Sequence, residues 1–226
     1  YSLILPFSWV ANRNGLIALF FALVSFNLLL SANSDGQHSK RIKYIALSLV
    51  VFLLSLLSAE AGVATLAFVL PYLIFINKAS IKEKIFQAVG YFGVVIVWQI
   101  VYKTLGFGVV NSEMYTDPGN NPAQFVINLF SNLPYMLTMQ IIDQDDFLAF
   151  VSSELIPVFT ILMWVFILLL AVLLRKLYIN NRISAFLLTG MLFAAIPVSG
   201  VPPSGRNLIF VAVFAAGFIG YGLSRF

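Results

Sequence analysis

The sequence contains no cysteine, one histidine and very little charge. Of its 226 residues only 10% are Asp, Glu, Lys or Arg, whereas about a quarter of a soluble domain is charged. Without cysteine there is no disulfide framework and no thiolate metal site. The chain also lacks a P-loop, a dinucleotide-binding fingerprint and a zinc motif. The sequence therefore gives no reason to expect a nucleotide-dependent or zinc-dependent enzyme.

What the chain has in abundance is apolar sequence. Hydrophobic residues make up 61% of it, and Phe alone occurs 22 times. Runs such as GLIALFFALVSFNLLL and VFTILMWVFILLLAVLL approach or reach the length of about 20 residues that crosses a bilayer as a helix. The composition predicts an all-α fold, a polytopic transmembrane helix bundle that forms a single transmembrane domain over residues 1–226.

The positions of Lys and Arg predict how this bundle is oriented. Ten of the 13 cations lie in three loops and after the last span, and cytoplasmic loops carry such an excess. The spans then alternate consistently if residues 105–153 stay outside. We expect a multi-pass protein of a bacterial cytoplasmic (inner) membrane, with its site on the external face and no role in binding nucleic acid. The seven predicted spans are 15–32, 43–58, 61–77, 85–104, 155–174, 183–199 and 208–224.

The predicted external loop, 105–153, contains one further apolar stretch. Residues 124–142 are long enough for a span, but an additional crossing would invert every later loop. Polar residues recur along one face of this stretch at helical spacing, so it is predicted to be a helix in the membrane interface with its apolar side in the lipid. Pro134 is expected to kink this helix.

Three cations face outward against the general bias, and they are candidate ligands for an anion. Arg206 lies in VPPSGRNLIF at the predicted start of the last helix, where free N–H groups and a guanidinium fork suit a phosphate. Arg13 lies at the outer end of the first span, and Lys103 ends the fourth. Each of them also fits a simpler role in which the charge reaches the lipid headgroups.

The acidic candidates lie on the same predicted side. Glu60, in LLSAEAGVA, is at or just below the outer surface, where an ionisable residue is costly. It is predicted to be a functional acid or the ion-pair partner of an outward cation. Tyr115 and Asp117 fit a turn over a pocket, or a turn alone. The acidic run at 143–146 fits a solvated loop, with coordination of a divalent metal ion as the alternative.

The order of these features resembles that of integral-membrane glycosyltransferases of the GT-C superfamily. WVANRNGLIALFFALVSFNLLL, a basic loop and ALSLVVFLLSLLSAEAGVATLAFVLPYLIF are similar to the membrane part of the tetratricopeptide-repeat O-mannosyltransferases and of related uncharacterised bacterial membrane proteins. Trp9, Arg13, Ser58 and Glu60 carry the resemblance. It covers residues 5–78 best and continues weakly through YTDPG and SGRN.

The resemblance implies transfer of a sugar from a polyprenyl-phosphate donor to an acceptor on the non-cytoplasmic face. The expected partners are membrane lipid, the polyprenyl-phosphate sugar and an acceptor of open identity. Outer-face cations bind the donor phosphate in such enzymes, a role that Arg206 fits with Arg13 or Lys103. The family's catalytic acid is expected upstream of Tyr1, so the chain is interpreted as an N-terminally truncated fragment that is inactive alone. Ala59 departs from the lysine usual in the repeat-bearing enzymes.

Two other classes of function stay open. A transporter or flippase for an anionic lipid or solute would use Glu60 and the outward cations along its path. Such proteins tend to show inverted repeats and helices broken near the midplane, and this sequence shows no internal repeat. A non-catalytic membrane assembly subunit would use the same charges as pairs between helices.

Overall fold

The computed structural model describes residues 12–34, 38–108, 115–142, 154–179 and 181–224, apart from the side chains of residues 38, 39, 177 and 178. All regular secondary structure within these ranges is helical. Trp9 and the acidic run at 143–146 lie outside them. In chain order the helices are α1 (Arg13–Ser34), α2 (His38–Ser58), α3 (Glu60–Ile76), α4 (Ile81–Thr104), α5 (Pro122–Thr138), α6 (Ile156–Leu173), α7 (Arg175–Ile179), α8 (Arg182–Val198) and α9 (Ile209–Leu223), with a 3₁₀ turn at Gly205–Asn207 before α9.

Four of these helices, α1, α2, α4 and α6, are long and apolar enough to cross a membrane. The prediction of an all-α protein with membrane-spanning helices is confirmed to this extent for the described residues. The apolar helices α3, α8 and α9 have 10–17 residues. At 1.5 Å per residue even the longest of them extends about 25 Å, against a hydrocarbon core of about 30 Å. These three correspond to the predicted spans 61–77, 183–199 and 208–224.

The pairing of α1 with α2 forms the most extensive helix contact in the bundle. The buried face of α1 is built largely from small residues, so the helix backbones approach closely. Two serine hydroxyls bridge the pair: Ser25 Oγ donates to the carbonyl oxygen of Ser48 at 2.8 Å, and Ser55 Oγ donates to that of Ala18 at 2.7 Å. Both serines are fully buried, so these bonds pair polar groups where no water is available.

Helix α3 changes its geometry along its length. It is a 3₁₀ helix at Glu60–Thr65, an α-helix at Leu66–Pro71 and a π-helix at Tyr72–Ile76. The 3₁₀ segment lies so close to α2 that a Cβ atom on Gly62 would be 2.5 Å from the carbonyl oxygen of Ser55. The start of α3, and with it the position of Glu60, therefore depends on the absence of a side chain at residue 62.

Helix α5 is the segment predicted to lie in the interface, and its second half is buried within the protein. Residues 134–138 are buried, and Met136 belongs to a core cluster shared with α1, α3, α8 and α9. Pro134 has no N–H, which leaves the carbonyl oxygen of Phe130 without its helical donor. The indole N–H of Trp164 on α6 donates to that oxygen at 3.0 Å. Protein packing, and not lipid alone, therefore covers the apolar side of α5.

Polar contacts gather at the two ends of the bundle. At one end Arg41 pairs with Glu83, with 2.5 Å between nitrogen and oxygen. At the other end the side-chain amide of Asn12 donates to the carbonyl oxygen of Arg206 at 3.1 Å. We call these the inner end and the outer end, after the sides on which the charge pattern predicts them.

The close approach at Gly62 gives a first prediction. In Gly62→Ala the new methyl group meets backbone atoms of α2 that cannot move aside, so the variant should lose about 2 kcal/mol or more. That loss corresponds to a fall of about 4–8 °C in Tm for a chain of this size, measured on the purified protein in detergent.

Gly93→Ala on α4 is the matched control, because a Cβ atom there has no other atom within 4 Å. Its Tm should stay the same or rise slightly, since alanine favours a helix interior by about 0.5–1 kcal/mol over glycine. Equal Tm values for the two variants would contradict the packing described for α3.

Candidate functional site

A polar cavity of about 320 Å³ opens at the outer end of the bundle. It lies between the start of α3, the end of α4 and the segment that precedes α5, and its volume is at the lower limit of small-molecule pockets, about 300–1,000 Å³. Charged, amide and aromatic side chains all contribute to its walls. The lining residues are Glu60, Gln99, Tyr102, Lys103, Gly106, Phe107, Gly108, Tyr115, Asp117 and Asn120.

Four of the six candidate residues predicted from the sequence line this cavity: Glu60, Lys103, Tyr115 and Asp117. They come from three segments that are distant in the chain and that the charge pattern predicts on the same side of the membrane. The structure therefore brings together a carboxylate from α3, an ammonium from α4, and a phenol and a second carboxylate from residues 115–121 before α5. We call residues 115–121 the external segment, after the side on which the charge pattern predicts it.

The end of α4 is shaped by a glycine turn. The N–H of Gly106 donates to the carbonyl of Lys103, and the N–H of Phe107 donates to that of Tyr102, both at 3.1 Å. This is the Schellman arrangement, which requires a positive φ at the residue after the cap, and Gly106 has a φ of 75°. The turn folds Phe107 back over Tyr102, with 5.6 Å between ring centroids, so both rings face the cavity.

Two polar contacts connect the segments across the cavity. The Tyr102 hydroxyl donates to the carboxylate of Glu60, and the ammonium of Lys103 lies 4.0 Å from the carboxylate of Asp117. The Lys103 side chain is 50% exposed, so solvent screens this pair and its contribution to stability is at most about 1 kcal/mol. Lys103 can therefore exchange Asp117 for an anionic ligand at little cost.

The external segment is docked onto the turn that follows α8. The N–H of Thr116 donates to the carbonyl of Gly200 at 2.8 Å, and the Asn128 amide of α5 donates to the Thr116 hydroxyl at 2.9 Å. Asp117 closes a turn by accepting from the N–H of Gly119 at 2.8 Å. These bonds hold Tyr115 and Asp117 beside the cavity, in the arrangement of a turn over a pocket.

The electrostatic environment of Tyr115 keeps its phenol protonated. Burial raises the pKa of this group, and the carboxylates of Glu60 and Asp117 raise the pKa further, because a third negative charge beside them is unfavourable. The phenol therefore remains a hydrogen-bond donor to a higher pH than an unperturbed tyrosine does.

The two arginines predicted to bind the donor phosphate do not line the cavity. Arg206 lies in the 3₁₀ turn Gly205–Asn207, and Arg13 is the first residue of α1; both are exposed. The contact between Asn12 and the carbonyl oxygen of Arg206 brings the segments of the two arginines together at the outer end. Of the three predicted cations, only Lys103 belongs to the cavity.

Six lining residues escaped the sequence analysis: the two glycines Gly106 and Gly108, and Gln99, Tyr102, Phe107 and Asn120. Gln99 and Lys103 are four residues apart on α4, which places both on one face of the helix. Gln99 could therefore have been predicted as a neighbour of Lys103. Phe107 and Asn120 carry no such signal, because their positions depend on the glycine turn and on the docking of the external segment.

The described residues contain no group of three or more His, Asp or Glu side chains that could hold a metal ion. The acidic run at 143–146 lies outside them. Comparison of the chain with family models, with curated proteins and with solved structures finds no match. The resemblance to GT-C enzymes therefore stays a prediction, and function must be inferred from the outer-end cavity and the charges around it.

The electrostatics of the cavity give a second prediction. Glu60→Gln removes a negative charge beside Tyr115, so the pKa of Tyr115 should fall. The shift is measured from the ultraviolet absorbance of phenolate, with the same variant carrying Tyr115→Phe subtracted to isolate the titration of this residue. Glu154→Gln, a carboxylate that does not line the cavity, should leave the titration unchanged. An unchanged or raised pKa in Glu60→Gln would show that these two groups do not interact.

Proposed function

We propose that this chain is part of a membrane glycosyltransferase that moves a sugar from a polyprenyl-phosphate donor to an acceptor on the non-cytoplasmic face, and that the outer-end cavity binds the sugar. One observation carries the proposal: two carboxylates, two amides, an ammonium and three aromatic rings share one cavity. Carboxylates and amides form hydrogen bonds with sugar hydroxyls, and electron-rich ring faces pack against the C–H groups of a sugar ring.

The proposed roles divide the outer end between sugar and phosphate. Glu60 and Asp117 accept hydrogen bonds from hydroxyl groups, and Tyr115 donates one. Arg206 and Arg13 bind the donor phosphate at the level of the lipid headgroups, where the guanidinium fork matches two phosphate oxygens. In this proposal Lys103 leaves Asp117 to approach the phosphate from the cavity side.

The proposal includes the full predicted topology. The four long helices cross a bacterial cytoplasmic membrane, and α3, α8 and α9 cross it as well, giving seven spans. Helices of 15–17 residues are near the lower limit of about 17 for a span, and flanking polar residues or local thinning of the bilayer make up such a difference. The polar cavity residues then face the external side, where the lipid-linked donor is used.

Arg206→Ala gives a third prediction. Charge-assisted hydrogen bonds contribute about 1.5–3 kcal/mol, so this substitution in the complete protein should weaken binding of polyprenyl phosphate by about tenfold or more, measured with radiolabelled lipid in proteoliposomes. Expression and Tm are measured alongside, so that a loss of lipid binding is distinguished from a loss of folding.

Arg175→Ala is the matched control, an exposed arginine at the inner end, and should bind polyprenyl phosphate normally. Equal binding by Arg206→Ala and the unmodified protein would remove the phosphate role. A loss of Tm without a specific loss of lipid binding would assign Arg206 to the assembly of the helices.

A transporter for an anionic lipid or solute is the second candidate function, and the geometry of two helices favours it. α3 changes from 3₁₀ to α to π, and α5 enters the protein core without being one of the long spans. Transporters build substrate sites from discontinuous helices, and the change of helix type along α3 is the feature of this chain nearest to that arrangement. Counterflow of labelled lipid phosphate across proteoliposomes, without sugar transfer, would favour the transporter; transfer without counterflow would favour the enzyme.

A further inference from the structure

A second cavity, of about 530 Å³, lies at the inner end between α2 and α4. Its walls are apolar and include Ile42, Leu49 and Phe86, and its mouth carries Arg41 and Lys82. We call this cavity the inner groove. It is separate from the outer-end cavity and shares no residue with it.

The walls of the inner groove face outward from the bundle. Phe86 is 69% exposed and Ile42 is 59% exposed, and both lie on helices long enough to cross a membrane. Apolar side chains this exposed on a spanning helix lie against lipid chains, because lipid is as apolar as they are. The groove therefore accepts a hydrocarbon chain laterally.

The charges around the mouth are strongly unbalanced. Two segments flank the mouth, residues 38–43 at the start of α2 and residues 78–84 before and within the start of α4. Glu83 is the one acid among the described residues of these two segments. Its carboxylate already accepts from Arg41 at 2.5 Å and from the N–H of Ser80 at 3.0 Å. Lys82 makes no ion pair within the part of the chain that the structure describes. The six cations of these segments are Lys40, Arg41, Lys43, Lys78, Lys82 and Lys84, so their sum with Glu83 is +5, and with Asp35, which precedes α2 in the sequence, it is +4.

We propose that the inner groove binds one anionic phospholipid of the surrounding bilayer. An acyl chain lies between α2 and α4, and the phosphate headgroup meets Lys82 and the Arg41 guanidinium. Basic pockets between spanning helices recognise anionic headgroups in this way, whereas a headgroup of zero net charge leaves the charge of Lys82 unmatched. The inference does not rest on the proposed sugar transfer, because the groove lies at the opposite end of the bundle.

Native mass spectrometry of the complete protein tests the headgroup. Phosphatidylglycerol and phosphatidylcholine with identical chains are the probes, and phosphatidylglycerol should be retained preferentially. Lys82→Gln should weaken its retention about fivefold, the effect of one lysine near an anionic lipid, without changing retention of phosphatidylcholine. Lys84→Gln is the matched control, because it makes the same charge change on the same helix turn at a residue that does not line the groove. Lys82→Arg keeps the positive charge and should retain binding.

A second pair of variants tests the hydrocarbon chain. Ala46 lines the groove from an exposed position, so Ala46→Trp should fill it and abolish retention of phosphatidylglycerol, whereas Leu47→Trp, beside it but outside the groove, should not. Equal loss in Lys82→Gln and Lys84→Gln would overturn the proposal in favour of diffuse surface charge. Unchanged binding in Ala46→Trp, or displacement of the lipid by inorganic phosphate alone, would also overturn it.

Discussion

The hydrogen-bonded contact between α1 and α2 is the interaction on which the other helices depend. In a membrane each buried polar group must find its partner within the protein, and here Ser55 donates across the helix pair to the carbonyl of Ala18 at 2.7 Å. The small residues of α1 permit the close approach that this bond needs. The 3₁₀ start of α3 then packs against both helices, with Gly62 against α2. Glu60 reaches the outer end because this three-helix contact places it there.

The need to pair buried polar groups within the protein also explains how the segment before α5 is held against the cavity. Asn132 of α5 donates to the carbonyl oxygens of Ser199 and Val201 at 3.0 and 3.2 Å, which connects α5 to the turn after α8. Gly200 in that turn accepts the N–H of Thr116 at 2.8 Å. The burial of α5 and the position of the external segment are thus parts of one arrangement.

The sequence predicts the helices and their grouping better than it predicts the site. Apolar length alone indicates a span at 15–32, where the structure has the helix Arg13–Ser34. The charge pattern predicts Glu60 and Lys103 on the same side, and in the structure both line one cavity. The 3₁₀ start of α3 could not be predicted from apolar length, because it depends on the close approach of Gly62 to α2. The π segment of α3 follows Pro71 and packs against α8. Arg206 is the strongest candidate in the sequence, yet it does not line the cavity, and the carbonyl oxygen of its turn accepts a hydrogen bond from Asn12.

The most direct test of a lipid-linked sugar site at the outer end is photocross-linking. A polyprenyl-phosphate sugar with a photoreactive group on the sugar would be bound to the complete protein in proteoliposomes, and the labelled peptides would be mapped by mass spectrometry. Labelling should fall on Glu60, on residues 102–108 and on residues 115–120, and excess unlabelled donor should suppress it. Labelling confined to the inner end around Lys82, or labelling that unlabelled donor does not suppress, would contradict the assignment.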